Sequence, residues 1–140
     1  MACFGCEGAV KTVFQENETD CGIACVAMLC GVTYSKAKEL CKHIYVNGYG
    51  IDSVPMAELL HQQGFEIGTK GRVGPKNPLW CFKSDAILPC KLLPSRGTIT
   101  EENSVGHWVV WDNDQKVVRD PSAFQKPIWI TSFMALRKRT

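Results

Sequence analysis

Residues 15–31 read Q-E-N-E-T-D-C-G-I-A-C-V-A-M-L-C-G, and this stretch decides the helical half of the fold. The threonine and the aspartate before its first cysteine are both suitable N-caps, so the sequence predicts a helix over residues 21–30. Gly31 supplies the usual C-terminal stop. Every position from Ile23 to the end of this helix is apolar, so we expect burial on most of its sides.

The next segments predict two further helices. A second helix is expected from about Ser35, because apolar residues recur there at the spacing of one helix face; they are Ala37, Leu40, Cys41 and Ile44. Ser53 is expected to cap a third helix, with Pro55 in its first turn and Gly64 at its end. These three predicted helices lie in the first half of the chain.

The second half of the chain predicts strands. Apolar and β-branched runs lie at residues 65–70, 86–93, 107–112, 116–120 and 128–130. Ser132 is expected to cap a terminal helix. Helices followed by antiparallel strands are typical of the α+β class, which can leave a cleft between its two halves. We therefore predict a single α+β domain over residues 1–140, with an irregular segment at 1–12.

Composition and charge argue against several classes of function. The formal net charge of +2 does not indicate a nucleic-acid partner, and no apolar stretch approaches the roughly 18 residues that a membrane span requires. The chain has eight cysteines, but its start, M-A-C-F-G-C-E-G, lacks the basic and apolar regions of a secretion signal. We therefore expect reduced thiols, a cytoplasmic location and no cofactor, and the sequence leaves the oligomeric state open.

Cys21 is the strongest candidate for a reactive group. A thiol becomes a good nucleophile only when it ionises, and the dipole and free N–H groups of a helix N-terminus favour the thiolate. Cys21 stands at that end of its predicted helix, whereas Cys25 and Cys30 lie further inside. Position alone also allows a second interpretation, in which Cys21 is a buried structural cysteine.

A reactive cysteine needs a partner base, and His107 is the best placed histidine. His43 and His61 fall near the ends of predicted helices and are expected at the surface. His107 follows a loop and opens the strand H-W-V-V-W, so its side chain can face a cleft.

The imidazole in turn needs an orienting group, and the predicted hairpin supplies Asp120. If Asn113 and Asp114 form a two-residue turn, His107 pairs directly with Asp120. Directly opposed residues share one face of a hairpin, with Cβ atoms about 5 Å apart. A longer turn would shift this register, so the pairing depends on the turn.

Gln15 completes the set of candidate residues. Acyl-transfer chemistry needs hydrogen-bond donors where the oxyanion develops. The side-chain amide of Gln15, six residues before the cysteine, can supply one donor. The backbone N–H of Cys21 at the helix start can supply the other.

Four stretches of the sequence resemble the bacterial double-glycine leader-peptide peptidases. They are Q-E-N-E-T-D-C-G-I-A-C-V-A-M at 15–28, D-S-V-P-M-A-E-L-L-H-Q-Q-G-F-E-I at 52–67, G-H-W-V-V-W at 106–111 and V-V-R-D-P at 117–121. These enzymes are papain-like cysteine peptidases, and they usually form the N-terminal domain of bacteriocin-exporting ABC transporters. The resemblance covers roughly residues 13–122, and its most specific element is Gln-x4-Asp-Cys-Gly-x-Ala-Cys.

The resemblance implies a papain-like α+β fold and cleavage of a peptide or protein substrate, with a Gly-Gly type site as the family's preference. It implies that Cys21 is the nucleophile and His107 the general base and acid. It also implies that Asp120 orients the histidine and that Gln15 is the oxyanion donor. No Gly-Lys-Ser or Gly-Lys-Thr of a Walker motif occurs in the sequence, so we expect a stand-alone peptidase domain and infer no export role.

Three alternatives remain open at the level of the sequence. The same four residues could serve acyl transfer, or hydrolysis of a non-peptide or side-chain amide. A non-catalytic peptide-binding module would retain the cleft, although it has no physical need for all four residues. Cys3 and Cys6 have the C-x2-C spacing of half a zinc site, but a second pair at that spacing is missing from the sequence.

Overall fold

The protein folds as helices followed by an antiparallel sheet, in a computed structural model that describes residues 10–92, 105–122 and 128–138. The helices of the described residues are α1 (Cys21–Cys30), α2 (Tyr34–Cys41) and α3 (Ser53–Gln62), with a 3-10 helix at Leu79–Cys81. The strands are β1 (Phe65–Arg72), β2 (Ala86–Leu92), β3 (Val105–Asp112), β4 (Val117–Arg119), β5 (Ile128–Ile130) and β6 (Ser132–Lys138). The predicted α+β class is confirmed.

Strand β2 is the centre of the sheet. The strand order is β1-β6-β2-β3-β4, and β5 pairs with β2 beyond the part of that strand that β6 covers. The β2 residues Ala86, Ile87 and Leu88 are fully buried because both faces of the sheet are covered here: Ile87 packs in the cluster that contains α1, and Ala86 and Leu88 pack in a second cluster on the other face. Pro89 lies between the residues of β2 that pair with β6 and those that pair with β5. A proline has no N–H to donate, so this interruption accommodates it.

Helix α1 packs against α2 and against β3, and almost all of it is buried. Its last turn closes at Gly31, whose φ of 65° lies in the left-handed region that favours glycine. The sequence predicted both the span of this helix and its stop. Burial of each Val, Leu or Met side chain contributes about 1.5–3 kcal/mol, so the apolar run of α1 is a main source of stability.

The predicted terminal helix at Ser132 is wrong, because residues 132–138 form β6. This strand lies between β1 and β2 and pairs with both, so the sheet satisfies its backbone groups from two sides. Its apolar residues are buried on both faces of the sheet, Met134 and Leu136 in the cluster that contains α1 and Phe133 in the cluster on the other face. Tertiary pairing therefore overrides the local signal for a helix cap.

The predicted two-residue hairpin turn is also wrong. Strands β3 and β4 pair Asp112 with Val117, which leaves four residues in the turn rather than two. Asp112 Oδ1 accepts from the backbone N–H groups of the turn at 3.1 and 3.3 Å, and Asp85 Oδ1 accepts from Asn113 N at 2.8 Å. Lys116 takes the positive φ of 56°. These carboxylates hold the longer turn, and one of them comes from another part of the chain.

None of the helices in the described part of the chain has both the length and the apolar content that a membrane span requires. Each of the six cysteines that the structure describes is a free thiol.

Candidate active site

Cys21 is the first residue of α1 and is 6% exposed. At this position the partial positive charge of the helix dipole favours an anion. A backbone N–H at the first position of a helix has no partner within that helix, so it can donate to a bound oxygen atom. Packing of α1 on β3 brings this helix end to the strand half of the molecule.

His107 and Asp120 form a short hydrogen bond beside Cys21. His107 Nε2 lies 2.7 Å from Asp120 Oδ1, and Ser122 N donates to the same oxygen at 2.9 Å. The His107 side chain is only 2% exposed and that of Asp120 12%. Cys21 lies close enough to the imidazole to help raise the pKa of His107. Carboxylate, imidazole and thiol are therefore neighbours in this part of the fold.

The His–Asp contact arises although the predicted register is wrong. The observed pairing, with Val110 opposite Arg119, moves β4 by two residues relative to the expected pairing. A shift by an even number leaves every side chain on the same face of a hairpin. Asp120 therefore still shares a face with His107 and reaches it diagonally instead of directly.

The environment of His107 favours the charged imidazolium. Burial by itself lowers the pKa of His107, but the hydrogen bonds to Asp120 and Cys21 outweigh it and raise this pKa to about 9. The ring is therefore mainly protonated at neutral pH. A positive charge in contact with the sulfur stabilises the thiolate, which is the nucleophilic form.

Replacement of His107 by glutamine is expected to destabilise the protein more at low pH than at high pH. A histidine with a folded pKa of about 9 and an ordinary value of about 6.5 stabilises the fold fully below pH 6.5, and this contribution is lost as the pH rises through 9. The deficit of His107→Gln in the free energy of unfolding should shrink by about 3 kcal/mol between about pH 6 and about pH 9.5. Urea unfolding of both proteins under a reducing agent, at each of the two pH values, measures this difference in the free energy of unfolding.

The control for this experiment is His43→Gln, because His43 is exposed on the surface. Its deficit should be small and the same at both pH values. A deficit of His107→Gln that stays constant with pH would contradict a charged imidazole in the folded protein.

A backbone hydrogen bond holds Gln15 close to Asp120. Gln15 N donates to Pro121 O at 2.9 Å, and Pro121 directly follows Asp120. The segment before Cys21 therefore crosses from the helical half to the strand half. All four residues that the sequence singled out lie in one region of the fold.

The side-chain amide of Gln15 is bonded within its own loop. Gln15 Nε2 donates to the backbone oxygens of Asn17 and Glu18 at 2.8 and 3.1 Å, which occupies both of its protons. Gln15 Oε1 is buried and has no hydrogen-bond partner among the described residues. To donate to an oxyanion, the amide has to exchange one of the two loop bonds for the new acceptor.

The other buried cysteines differ from Cys21 in their surroundings. Burial raises the pKa of Cys25 well above its usual value and that of Cys41 to about 12. Burial also raises the pKa of Cys90, which pairs across the strands with His107. These three thiols therefore stay protonated at neutral pH, whereas Cys21 lies beside the imidazole and helps to raise its pKa.

Sequence reasoning missed the anchor that holds His107 against α1. The indole Nε1 of Trp108 donates to Ile51 O at 3.0 Å in the core, which fixes the residue next to the histidine. A Cβ at Gly22 would lie 3.1 Å from Ile51 Cδ1 and 3.3 Å from Trp108 Cδ1. The lack of a side chain at Gly22 therefore permits α1 to pack this closely against Ile51 and Trp108. In the sequence, the glycine at this position is the only local sign of that contact.

In the described residues, no group of three or more His, Cys, Asp or Glu side chains is arranged to hold a metal. Cys3 and Cys6, the candidate half of a zinc site, lie outside the described residues. His43 is exposed, and so is His61, which lies in the last turn of α3.

The helical half, the antiparallel sheet and the cysteine at a helix N-terminus define a papain-like cysteine peptidase, which is a hydrolase. The model of the peptidase C39 family matches residues 9–135, and the chain belongs to this family. The predicted fold and the resemblance to double-glycine peptidases are thereby confirmed.

Solved structures show the same fold, and one of them is the peptidase domain of Streptococcus ComA, a bi-functional ABC transporter involved in a quorum sensing pathway. The TM-score is 0.63 at 18% sequence identity, and the alignment covers 93% of this chain and 99% of that domain. Among curated proteins, none matches this chain.

Proposed function

We propose that the protein cleaves a peptide or protein substrate through a thioester on Cys21, with His107 and Asp120 as the other members of a catalytic triad. The observation that carries this proposal is the buried His107, which is hydrogen-bonded to Asp120 at 2.7 Å and whose pKa is raised by both Asp120 and Cys21. A structural cysteine needs no charged imidazole beside it, and burial of a charge without a partner is costly. The membership in the peptidase C39 family supports the same chemistry.

The first half of the proposed reaction forms the thioester. The Cys21 thiolate attacks the substrate carbonyl carbon, a C–S bond forms, and the electron pair of the C=O bond moves to the oxygen. The backbone N–H of Cys21 and the amide of Gln15 stabilise this oxyanion. His107 gives its proton to the leaving nitrogen as the C–N bond breaks.

The second half releases the acid product. His107, now neutral, takes a proton from a water molecule as the water oxygen attacks the thioester carbonyl. The C–S bond breaks, and the Cys21 thiolate leaves beside the imidazolium that has formed again. Asp120 keeps the ring in the orientation and tautomer that both proton transfers need.

Cleavage after a Gly-Gly type site fits the burial of the reacting groups. Cys21 and His107 are only 6% and 5% exposed, so a substrate backbone must approach closely to reach the sulfur. Glycine has no side chain to obstruct that approach. We therefore propose a leader-type peptide with small residues at the cleavage site, and a cytoplasmic reaction because the described cysteines are free thiols.

Iodoacetamide at about pH 6 is expected to label Cys21 much faster than the buried cysteines. At this pH an ordinary thiol, with a pKa of about 8.5, is almost entirely protonated. Cys21 has the imidazolium beside it, whereas burial raises the pKa of Cys25 and Cys41 further. Mass spectrometry of tryptic peptides measures the rate for each cysteine.

His107→Ala is the matched variant for this labelling, and it should remove the advantage of Cys21. Labelling of native Cys21 no faster than that of the exposed Cys81 would contradict an activated thiolate. Product analysis in water enriched in oxygen-18 then separates hydrolysis from acyl transfer. Hydrolysis places one heavy oxygen in the new carboxylate, whereas transfer to an amine places none.

A further inference from the structure

Asp20 has an unusual environment for a carboxylate. It is the N-cap of α1, directly precedes Cys21 and is 2% exposed. An N-cap aspartate ordinarily accepts a hydrogen bond from the first turn of its helix. The Asp20 side chain forms no such bond to α1, every residue of which is described. Its carboxylate therefore serves another part of the structure.

The carboxylate of Asp20 joins residues 15–20, which we call the oxyanion loop, to the start of α2. Asp20 Oδ2 accepts from the Tyr34 hydroxyl at 2.8 Å and from Asn17 Nδ2 at 3.0 Å. The same hydroxyl accepts from the backbone N–H of Glu16 at 3.1 Å. The Tyr34 hydroxyl therefore links two groups: its oxygen accepts a hydrogen bond from the loop backbone, and its proton is donated to the Asp20 carboxylate.

The charge of Asp20 does not help the proposed reaction. Burial by itself raises the pKa of Asp20, but the hydrogen bonds from Tyr34 and Asn17 outweigh it and hold this pKa below its ordinary value. The group is therefore ionised at neutral pH. A carboxylate cannot donate a hydrogen bond to an oxyanion, and its negative charge repels one. Asp20 can therefore assist the reaction only by holding other groups in position.

We propose that Asp20 and Tyr34 are positioning residues that hold the oxyanion loop in the shape required for acyl transfer. The two proposed oxyanion donors stand at the two ends of this loop: the Gln15 amide belongs to its first residue, and the Cys21 N–H directly follows its last. The Gln15 amide itself bonds to loop carbonyls, so its position follows the shape of the loop. The inference rests on the proposed acyl transfer at Cys21.

Two reagents that react with the same sulfur atom test this role. Iodoacetamide alkylates the thiolate by displacement of iodide and develops no oxyanion. With p-nitrophenyl acetate the thiolate attacks the ester carbonyl through an oxyanion, a C–S bond forms, the C–O bond breaks and p-nitrophenolate leaves. The ratio of the two rates at Cys21, read by mass spectrometry, therefore reports the oxyanion donors separately from the nucleophile.

Tyr34→Phe is expected to slow acetylation of Cys21 by about tenfold or more and to leave its alkylation rate unchanged. The matched control is Tyr49→Phe, because Tyr49 is 67% exposed and donates to Asp52 Oδ1 at 2.7 Å, a similar bond at the surface. This control should change neither rate. Urea unfolding shows whether each variant remains folded.

Two variants of Asp20 make the test independent of the tyrosine. Asp20→Ala removes the acceptor and should slow acetylation as much as Tyr34→Phe does. Asp20→Asn keeps an oxygen that accepts from Tyr34 and should retain most of the rate. An equal loss in Asn and Ala variants would contradict a role through this hydrogen bond.

The proposal is overturned if Tyr34→Phe leaves acetylation unchanged, or if both reactions of Cys21 slow by the same factor. The second result would mean that Tyr34 acts on the nucleophile or on the fold as a whole. Failure of the native protein to cleave a quenched peptide with a Gly-Gly sequence would contradict the peptidase proposal alone. The rate ratio is measured without a peptide, so the two failures are distinguishable.

Discussion

Cys21→Ala is expected to reduce cleavage of a quenched Gly-Gly peptide to background, a loss of at least about 10⁴-fold. The substitution removes the only atom that can form the proposed thioester. His107 and the oxyanion donors remain, but without a covalent step they add little to the reaction with water. Turnover measured by fluorescence under a reducing agent, over a range of enzyme concentrations, gives the residual rate.

The fold should survive Cys21→Ala, because the change removes one sulfur atom at the end of a helix that is otherwise intact. Cys25→Ala is the matched control, since Cys25 lies one turn further along α1 and is fully buried. It loses the same atom and should retain turnover. Turnover in Cys21→Ala comparable to that of the native protein would reject Cys21 as the nucleophile.

His107→Ala is expected to lower turnover by about 10³-fold. The variant loses the group that protonates the leaving nitrogen and the positive charge that stabilises the thiolate. The alkylation rate of Cys21 at about pH 6 should fall together with turnover. Exposed His43 supplies the control, and His43→Ala should leave both rates unchanged.

Asp120→Asn should cost less than the loss of His107, about tenfold, because an amide oxygen still accepts from the imidazole and only the charge of the acceptor is lost. The expected order of residual turnover is therefore Asp120→Asn, then His107→Ala, then Cys21→Ala. Equal turnover in the three variants would reject the triad.

The sequence predicted the helical half of the fold well, because its signals are local. An apolar run between a capping residue and Gly31 is sufficient to predict α1, and the helical spacing from Ala37 to Cys41 predicts α2. The start of α3 differs by one residue, since Asp52 is the N-cap and Ser53 is already helical. Such differences at helix ends are ordinary.

The strand half was predicted less well. The predicted spans of β1 to β5 agree with the structure within two residues, but the sequence predicts a helix where β6 lies. Residues 132–138 form a strand because β1 and β2 lie on either side of them, a fact that no window of the sequence contains. The hairpin turn depends in the same way on Asp85, which lies outside the hairpin.

The sequence by itself determined which four residues are candidates for chemistry. A short motif and a helix N-terminus single out Cys21 and Gln15, and the start of a predicted strand and its predicted hairpin single out His107 and Asp120. Only the tertiary structure decided how these groups meet. The contact between His107 and Asp120 needs two strands in a particular register, and the oxyanion loop is held by Tyr34 from a different helix. Helix caps and periodicity act between near neighbours in the chain, whereas hydrogen bonds to a buried carboxylate depend on which distant segments the packed core brings together.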